Sequence, residues 1–358
     1  MAIAVNLLKS RLRPICVIVP AELRGAVTRA SPTDVSAANP GITKLTFNVP
    51  VVIERNDVLL TLRSDTLPHL YDVLGWLRGN GQLNGRAHPS PGLGVLLEVT
   101  SVRLMFQQMG LPRRVADAQG LPYAGRINPR SPMWMGFADQ QVAGSGPATI
   151  TSFQGNRSAR LTDARRGDYF DNGAVQHLSH VLLDLEPFYS DDEPYTERVQ
   201  YMFRSNPIPS AGDADQYTDG GGPSFIGNVF QGTGDAEKNA GAQQTFGGAH
   251  RIGHLAALQR SSRAADGTPL HIRMDGPGFD ALDVPDGSHQ PKLQFTAFMP
   301  TAECFARMRR NQASLDLAKR EGVTDDDNGL ERFITATRRQ NFLVPPRRHR
   351  IFPLLELV

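Results

Sequence analysis

Three polar residues in apolar settings carry the chemistry that this sequence offers first. His254 lies in the short run GHLAA, Arg273 follows the segment DGTPLHI, and Asp139 ends the segment MWMGFAD. An imidazole can ligate iron, and an acid with a guanidinium can move a proton and stabilise negative charge. Together the three residues indicate a site with a metal ligand on one side and acid–base groups on the other.

Each of these residues also has a plainer interpretation. His254 alone is typical of a core histidine with satisfied hydrogen bonds, and His250 and His271 are rival ligands. On a helix, His250 and His254 would share one face. Asp139 beside glycine is typical of a turn or a cap, although its apolar neighbours favour a buried carboxyl group with a shifted pKa. Arg273 could form a surface ion pair.

Composition excludes several classes of protein. The 358 residues are 40% hydrophobic and 21% charged, with a net charge of +2, which is ordinary for a globular protein and lacks the basic excess of a nucleic-acid binder. Cys16 and Cys304 form no CxxC or CxxCH pattern, so neither a cysteine zinc site nor covalent haem attachment is predicted. No apolar run approaches a membrane span or a secretory signal. We expect a soluble, cytoplasmic protein with no membrane partner.

Elements with two different periodicities predict an α+β fold. In the first half, two β-segments over 42–63 flank a break at 55–57, a helix begins after Thr66 and ends at Gly79, and a β-run is predicted over 94–106. In the second half, strands are predicted over 173–186, over 292–300 and at NFLV. Helices are predicted at 193–204, at 301–320 and near 328–338.

The repeated order of elements predicts two ferredoxin-like halves, at 1–165 and 166–358. Residues 205–248, rich in Gly, Asp, Ser and Pro, form an insertion in the second half. His177 and His180 would point to opposite faces of a strand, so they are not predicted to share a metal ion. No GxSxG elbow is present to support a serine triad.

These motifs resemble the dye-decolorising peroxidase family over about 120–358. The family's GxxDG motif is matched by GFAD at 136–139, with Gln140 in place of the last glycine. The context of its ligand histidine resembles Gly253-His254-Leu255, and that of its distal arginine resembles Ile272-Arg273. Further along, FTAFMP, ECFARMRRNQ and NFLVPP follow the family's order.

The resemblance implies a dimeric α/β barrel-type haem peroxidase fold with antiparallel sheets and one haem b in the second half. His254 would ligate the iron, Glu331 would accept a hydrogen bond from its other ring nitrogen in preference to Asp327, and Asp139 and Arg273 would act on peroxide. The implied partners are hydrogen peroxide, a small organic reductant and other copies of the chain, as a homodimer or a higher homo-oligomer. Electrons could hop through surface aromatics such as Trp134, Tyr201 or Tyr217.

Three departures from the family pattern favour other activities on the same fold. Gln140 replaces a glycine, Asp275 stands where the family often has asparagine, and the insertion at 205–248 precedes the ligand histidine. The alternatives are a haem-dependent tailoring oxidase or dehydratase with a dedicated small substrate, and a non-catalytic haem-binding protein.

Overall fold

The part of the chain that the computed structural model describes contains two large β-sheets, a separate two-stranded hairpin and five α-helices. That part comprises residues 2–4, 15–18, 42, 44–56, 58–95, 98–137, 173–190, 198, 201–202, 253–254, 271–299 and 302–344. The insertion at 205–248 and the boundary near 165 lie outside it. No helix among the described residues is long and apolar enough to cross a membrane.

The first sheet has four strands in the order β2-β4-β1-β7, and the second has six, with β9 pairing only β11 beside the order β10-β11-β8-β12-β3. The strands are β1 Ala2–Ala4, β2 Ile15–Ile18, β3 Val52–Ile53, β4 Val58–Leu62, β5 Gln82–Leu83, β6 Arg86–Ala87, β7 Arg103–Met105, β8 Ala174–Leu183, β9 Ile272–Arg273, β10 Gly276–Asp280, β11 Gln290–Met299 and β12 Ile334–Val344. β5 and β6 form a separate hairpin.

The helices are α1 Leu67–Arg78, α2 Leu111–Ala118, α3 Leu185–Phe188, α4 Ala302–Ala313 and α5 Leu315–Glu321. Shorter 3₁₀ turns lie at Leu93–Val95, Ala124–Arg126, Asp325–Asp327 and Glu331–Phe333. The predicted α+β class is confirmed, and within the described residues both sheets are open, with no closed barrel. Antiparallel pairing holds β8 between β11 and β12, whereas β1 pairs in parallel with β4 and β7.

Local sequence explains the best-predicted helix. Thr66 has extended backbone angles directly before α1, and a proline occupies its first turn, where the missing N–H removes no helical hydrogen bond. Gly79 ends it with φ 129°, a conformation that favours glycine. Leu70, Val73 and Leu74 pack inward as one stripe, so both ends and the buried face follow the pattern in the sequence.

Two element predictions were wrong in part. Among the described residues of the β-run predicted over 94–106, a strand forms only at Arg103–Met105, because Leu93–Val95 instead makes a turn against the end of α1. There Gly94 approaches the backbone of Arg78 so closely that a Cβ would lie 2.6 Å from its carbonyl oxygen. The helix predicted near 328–338 is a 3₁₀ turn followed by β12, whose pairing with β8 offers more backbone hydrogen bonds than one more helical turn.

A β-bulge in β12 decides which side chains reach which face of the second sheet. The register with β8 shifts between Ala336 and Arg338, so that Thr337 is an extra residue. After the bulge, Arg338 lies opposite His180 and Arg339 lies opposite Ser179. Successive side chains in a strand point to opposite faces, so the two arginines serve different faces.

The main apolar core contains Trp134 between the two sheets' edges. Its indole N–H donates to the carbonyl of Gly278 at 2.9 Å, and its ring contacts Phe106 and Phe279. Phe106 also donates its backbone N–H to the carbonyl of Pro277 at 2.9 Å. These contacts join the strand end after β7 to β10.

Candidate functional site

His254, the predicted iron ligand, has a helical backbone conformation and is partly exposed. Desolvation by the surrounding protein, together with the positive charges of Arg273 and Arg309, lowers the pKa of its imidazole to about 4, and the charge of Glu331 partly opposes this shift. At neutral pH the ring is therefore uncharged, with a nitrogen lone pair available to a metal or a hydrogen donor. Arg273 and Glu331, predicted from sequence as its partners, are close enough to act on it.

Glu331 is buried in a clamp of two cations. Arg309 Nη1 donates to Oε1 and Nη2 to Oε2, both at 2.7 Å, and Lys44 Nζ lies 3.6 Å from Oε2. Burial alone would raise the pKa of Glu331, but the charge and hydrogen bonds of Arg309, with Lys44 and His254, lower it to about 2. The carboxyl group is thus ionised throughout the ordinary pH range.

Secondary structure fixes both sides of this clamp. Arg309 projects from α4, whose residues Phe305 and Met308 pack against Ala297 and Met299 of β11. Glu331 opens the 3₁₀ turn before β12. The guanidinium–carboxylate fork therefore joins a helix to the strand that begins three residues later.

Arg273 belongs to a row of polar side chains across the second sheet. It pairs with Ala297 of β11, which pairs with His177 of β8, which pairs with Asn341 of β12. Residues in register on neighbouring strands share a face, so Arg273, His177 and Asn341 all lie on the face against which α4 packs. Arg273 is itself partly exposed.

His177 in this row is held neutral and fixed in orientation. Its Nδ1 lies 2.7 Å from Asn341 Oδ1, and its Nε2 lies 2.6 Å from Ser179 Oγ. Because an amide oxygen only accepts, Nδ1 carries the proton and Nε2 accepts from the serine hydroxyl. The ring stacks on Phe305 with centroids 3.3 Å apart, and burial lowers its pKa to about 3. His180 faces the other side of the sheet, as the sequence predicted.

The remaining predicted residues have mixed outcomes. Asp139 and the rival ligand His250 lie outside the described residues, and so does Gln140. His271 is buried directly before β9, and Asp275 accepts a hydrogen bond on its backbone oxygen from Gln107 Nε2 at 2.5 Å.

The suggestion that Trp134 and Tyr201 are surface aromatics was wrong. Trp134 is 1% exposed and Tyr201 is 2% exposed, because both belong to the main apolar core. Tyr217 lies outside the described residues.

Sequence reasoning missed the two cations on Glu331. Arg309 is one of several arginines in an amphipathic helix, and nothing in its immediate neighbours distinguishes it. Lys44 is 287 positions away from Glu331 along the chain, so no local pattern could link them. Among the described residues, no group of three or more His, Cys, Asp or Glu side chains could hold a metal ion by itself.

Comparison with known proteins gives a family and several structural likenesses. The model of a family of unknown function, DUF7405, matches residues 27–346. No curated protein matches the chain. A dye-decolorizing protein from V. cholerae is similar at a TM-score of 0.46 and 14% identity, over 93% of this chain and 80% of that one.

Two further solved structures are similar to the same degree. A DypB variant from Rhodococcus jostii RHA1 in complex with heme has a TM-score of 0.45 and 13% identity, over 94% of this chain and 80% of its own. A dye-decolorizing peroxidase from Bacteroides thetaiotaomicron has a TM-score of 0.43 and 12% identity, over 94% and 79%. Heme and peroxidase chemistry are properties of those proteins.

Proposed function

This chain belongs to DUF7405, a family of unknown function, and we propose that it binds haem b and uses hydrogen peroxide to oxidise small organic molecules. The observation that carries the proposal is an uncharged imidazole, His254, flanked by the ionised carboxylate of Glu331 and the guanidinium of Arg273. The sequence motifs around His254 and Arg273 support the same proposal independently of this geometry.

The donor set fits haem b in two respects. A neutral histidine is the form that ligates iron, and the low pKa of His254 keeps it in that form without a metal. Arg309 and Lys44 flank the carboxylate of Glu331, and Arg273 acts on His254, so the site holds three positive charges against one carboxylate. Haem b carries two propionate carboxylates, which such a surplus of cations would stabilise.

Glu331 orients and polarises His254 in this proposal. A carboxylate behind a ligating histidine fixes the tautomer and raises the electron density on the other ring nitrogen. Since Arg309 and Lys44 lower the pKa of Glu331 to about 2, the carboxylate does not take the imidazole proton. It acts through its charge and through the lone pairs that remain.

Arg273 would act on peroxide in this proposal. When bound, the haem iron would supply the redox chemistry that cleaves the O–O bond. The guanidinium of Arg273 would hold peroxide by hydrogen bonds and stabilise negative charge as it develops on the departing oxygen. We assign the transfer of the peroxide proton to Asp139, on the strength of its motif alone.

Haem titration of His254→Ala tests the ligand assignment. The wild-type protein should bind haem with a Soret spectrum typical of histidine ligation, and the variant should lose that spectrum. His69→Ala, at an exposed site on α1, is the matched control and should behave like the wild type. If His254→Ala keeps the spectrum, the ligand is another residue and the site is misplaced.

Peroxide reactivity of Arg273→Leu tests the function. The variant should bind haem but react with peroxide about 100-fold more slowly or worse, the typical loss when one charge-stabilising donor is removed. Arg310→Leu, exposed on α4, should react like the wild type. Tight haem binding with no peroxide-driven oxidation in the wild type would favour the non-catalytic alternative.

A further inference from the structure

The second sheet has a buried polar face on the side away from His177. In register across it lie Gln294 of β11, His180 of β8 and Arg338 of β12. Gln294 is 3% exposed and His180 is fully buried. Together with three neighbours they form what we call the inter-sheet layer: Glu54, Arg103, His180, Asp280, Gln294 and Arg338.

The first sheet covers this face. Arg103 of β7 donates to Glu54 with Nη2, and Glu54 Oε1 lies 3.5 Å from Arg338 Nη1. The two sheets approach closely at Gly278, where a Cβ would lie 2.6 Å from the carbonyl oxygen of Leu104 and 3.2 Å from Gln294 Nε2. The inter-sheet layer is therefore enclosed between the sheets.

Charges within and around the layer are balanced. Arg103 pairs with Glu54, Arg338 binds the neighbouring carboxylate of Asp283 at 2.7 Å, and the buried ammonium of Lys292 lies 3.7 Å from Asp280 Oδ1. A charged molecule would add an uncompensated charge to this enclosed network, which is unfavourable. An uncharged polar molecule would not.

Several buried polar atoms of the layer have no hydrogen-bond partner among the described residues. They are Nε2 and Oε1 of Gln294, Nε and Nη1 of Arg103, Oδ2 of Asp280 and Nε2 of His180. The nearest acid oxygen to His180 Nε2, on Asp280, is 3.7 Å away, too far for a hydrogen bond. Leaving this many atoms unsatisfied would cost free energy comparable with the whole net stability of a domain, so these atoms must bind either water or a polar guest.

We propose that the inter-sheet layer binds a small uncharged molecule carrying a carboxamide or lactam group. Both ends of the Gln294 amide are free, so a guest with an N–H beside a C=O can form two parallel hydrogen bonds with it. The free N–H groups of Arg103 can donate to the same carbonyl, and Asp280 Oδ2 can accept a second N–H. Asp280 keeps 24% side-chain exposure against 3% for Gln294, so the guest enters from the side of Asp280.

Thermal-shift and calorimetric titrations with simple amides test the proposal. Acetamide and 2-pyrrolidone are the probes, and the matched non-binders are N,N-dimethylacetamide and methyl acetate, which lack an N–H, and acetate, which is charged. The two probes should raise the unfolding temperature of the wild-type protein saturably, and the three others should not.

Two variants of Gln294 sharpen the test. Gln294→Leu should weaken acetamide binding at least about tenfold, since two hydrogen bonds are lost. Gln294→Glu offers two acceptors in the same shape, so it should prefer acetamidine, a double donor, over acetamide. Gln82→Leu, exposed on β5, should bind like the wild type.

Three results would overturn the proposal. The first is equal binding of acetamide and N,N-dimethylacetamide by the wild type, which needs no variant to fold. The second is a layer that excludes every probe and holds only long-lived water, detected by magnetic relaxation dispersion of solvent oxygen-17. Binding of acetamide that survives both Gln294 variants unchanged would place the amide site elsewhere and equally reject it.

Discussion

Neutralising Glu331 should destabilise the protein strongly and in a pH-dependent way. Its pKa falls from 4.5 to about 2 on folding, a shift that corresponds to about 3 kcal/mol of stability. Glu331→Gln keeps the shape of the side chain but leaves Arg309 and Lys44 buried without their carboxylate. Breaking a buried ion pair in this way typically costs about 3–5 kcal/mol, so the two figures agree.

The sign of the pH dependence follows from the lowered pKa. A carboxyl group whose pKa is lower in the folded state stabilises that state fully above its unfolded value, and the effect is lost as the pH falls towards the folded value. The stability gap between wild type and Glu331→Gln should therefore be constant above about pH 5.5. Between pH 7 and pH 3 it should shrink by about 2 kcal/mol.

Urea unfolding of both proteins at pH 7, 5, 4 and 3 measures this gap. Asp326→Asn is the control, because Asp326 pairs with Arg332 at 3.2 Å while its own side chain is 77% exposed, and such pairs contribute less than about 1 kcal/mol. If Glu331→Gln costs no more than the control at pH 7, the clamp is not stabilising. A gap that stays the same down to pH 3 would refute the ionised state of Glu331.

Three further changes have definite expected outcomes. Burial lowers the pKa of Lys292 to about 8, so as the pH rises the folded state loses the ammonium proton before the unfolded state does. The urea midpoint of the wild-type protein should therefore rise between pH 8 and pH 10. The midpoint of Lys292→Met should rise less over the same range. Gly278→Ala should cost about 1–3 kcal/mol in the same assay, because its Cβ would lie 2.6 Å from a backbone oxygen, whereas Gly81→Ala meets nothing within 4 Å and should be neutral. Trp134→Phe should cost about 1–3 kcal/mol because it leaves the carbonyl of Gly278 buried without its donor; an unchanged midpoint would mean that another group replaces the indole.

Elements whose signals are local could be predicted from the sequence. The helix α1 is bounded by Thr66 and Gly79, and both ends are where the sequence placed them. The strand β8 is a ten-residue apolar and polar run that is buried along its whole length, and its alternation correctly separated His177 from His180. Such patterns depend only on backbone geometry and on residues next to each other.

The electrostatic environment of the site could not be predicted, because it depends on distant residues. Glu331 could be chosen from its segment, but its ionised state depends on Arg309 and on Lys44, 287 positions away. The strand predicted over 94–106 was mostly wrong for a related reason. A strand needs a partner, and residues 93–95 instead pack on the end of a helix.

The extra residue in β12 makes this strand sensitive to changes in length. The extra residue Thr337 decides which face each of the next two arginines reaches: Arg338 points towards Glu54 and Asp283, and Arg339 points towards Phe305 and the region of Glu331. Removing a single residue from the bulge would turn every side chain on one side of the deletion to the opposite face of the sheet. Related sequences should therefore tolerate substitutions along β12 far more readily than insertions or deletions, and alignments that place a gap there should be treated as errors of register.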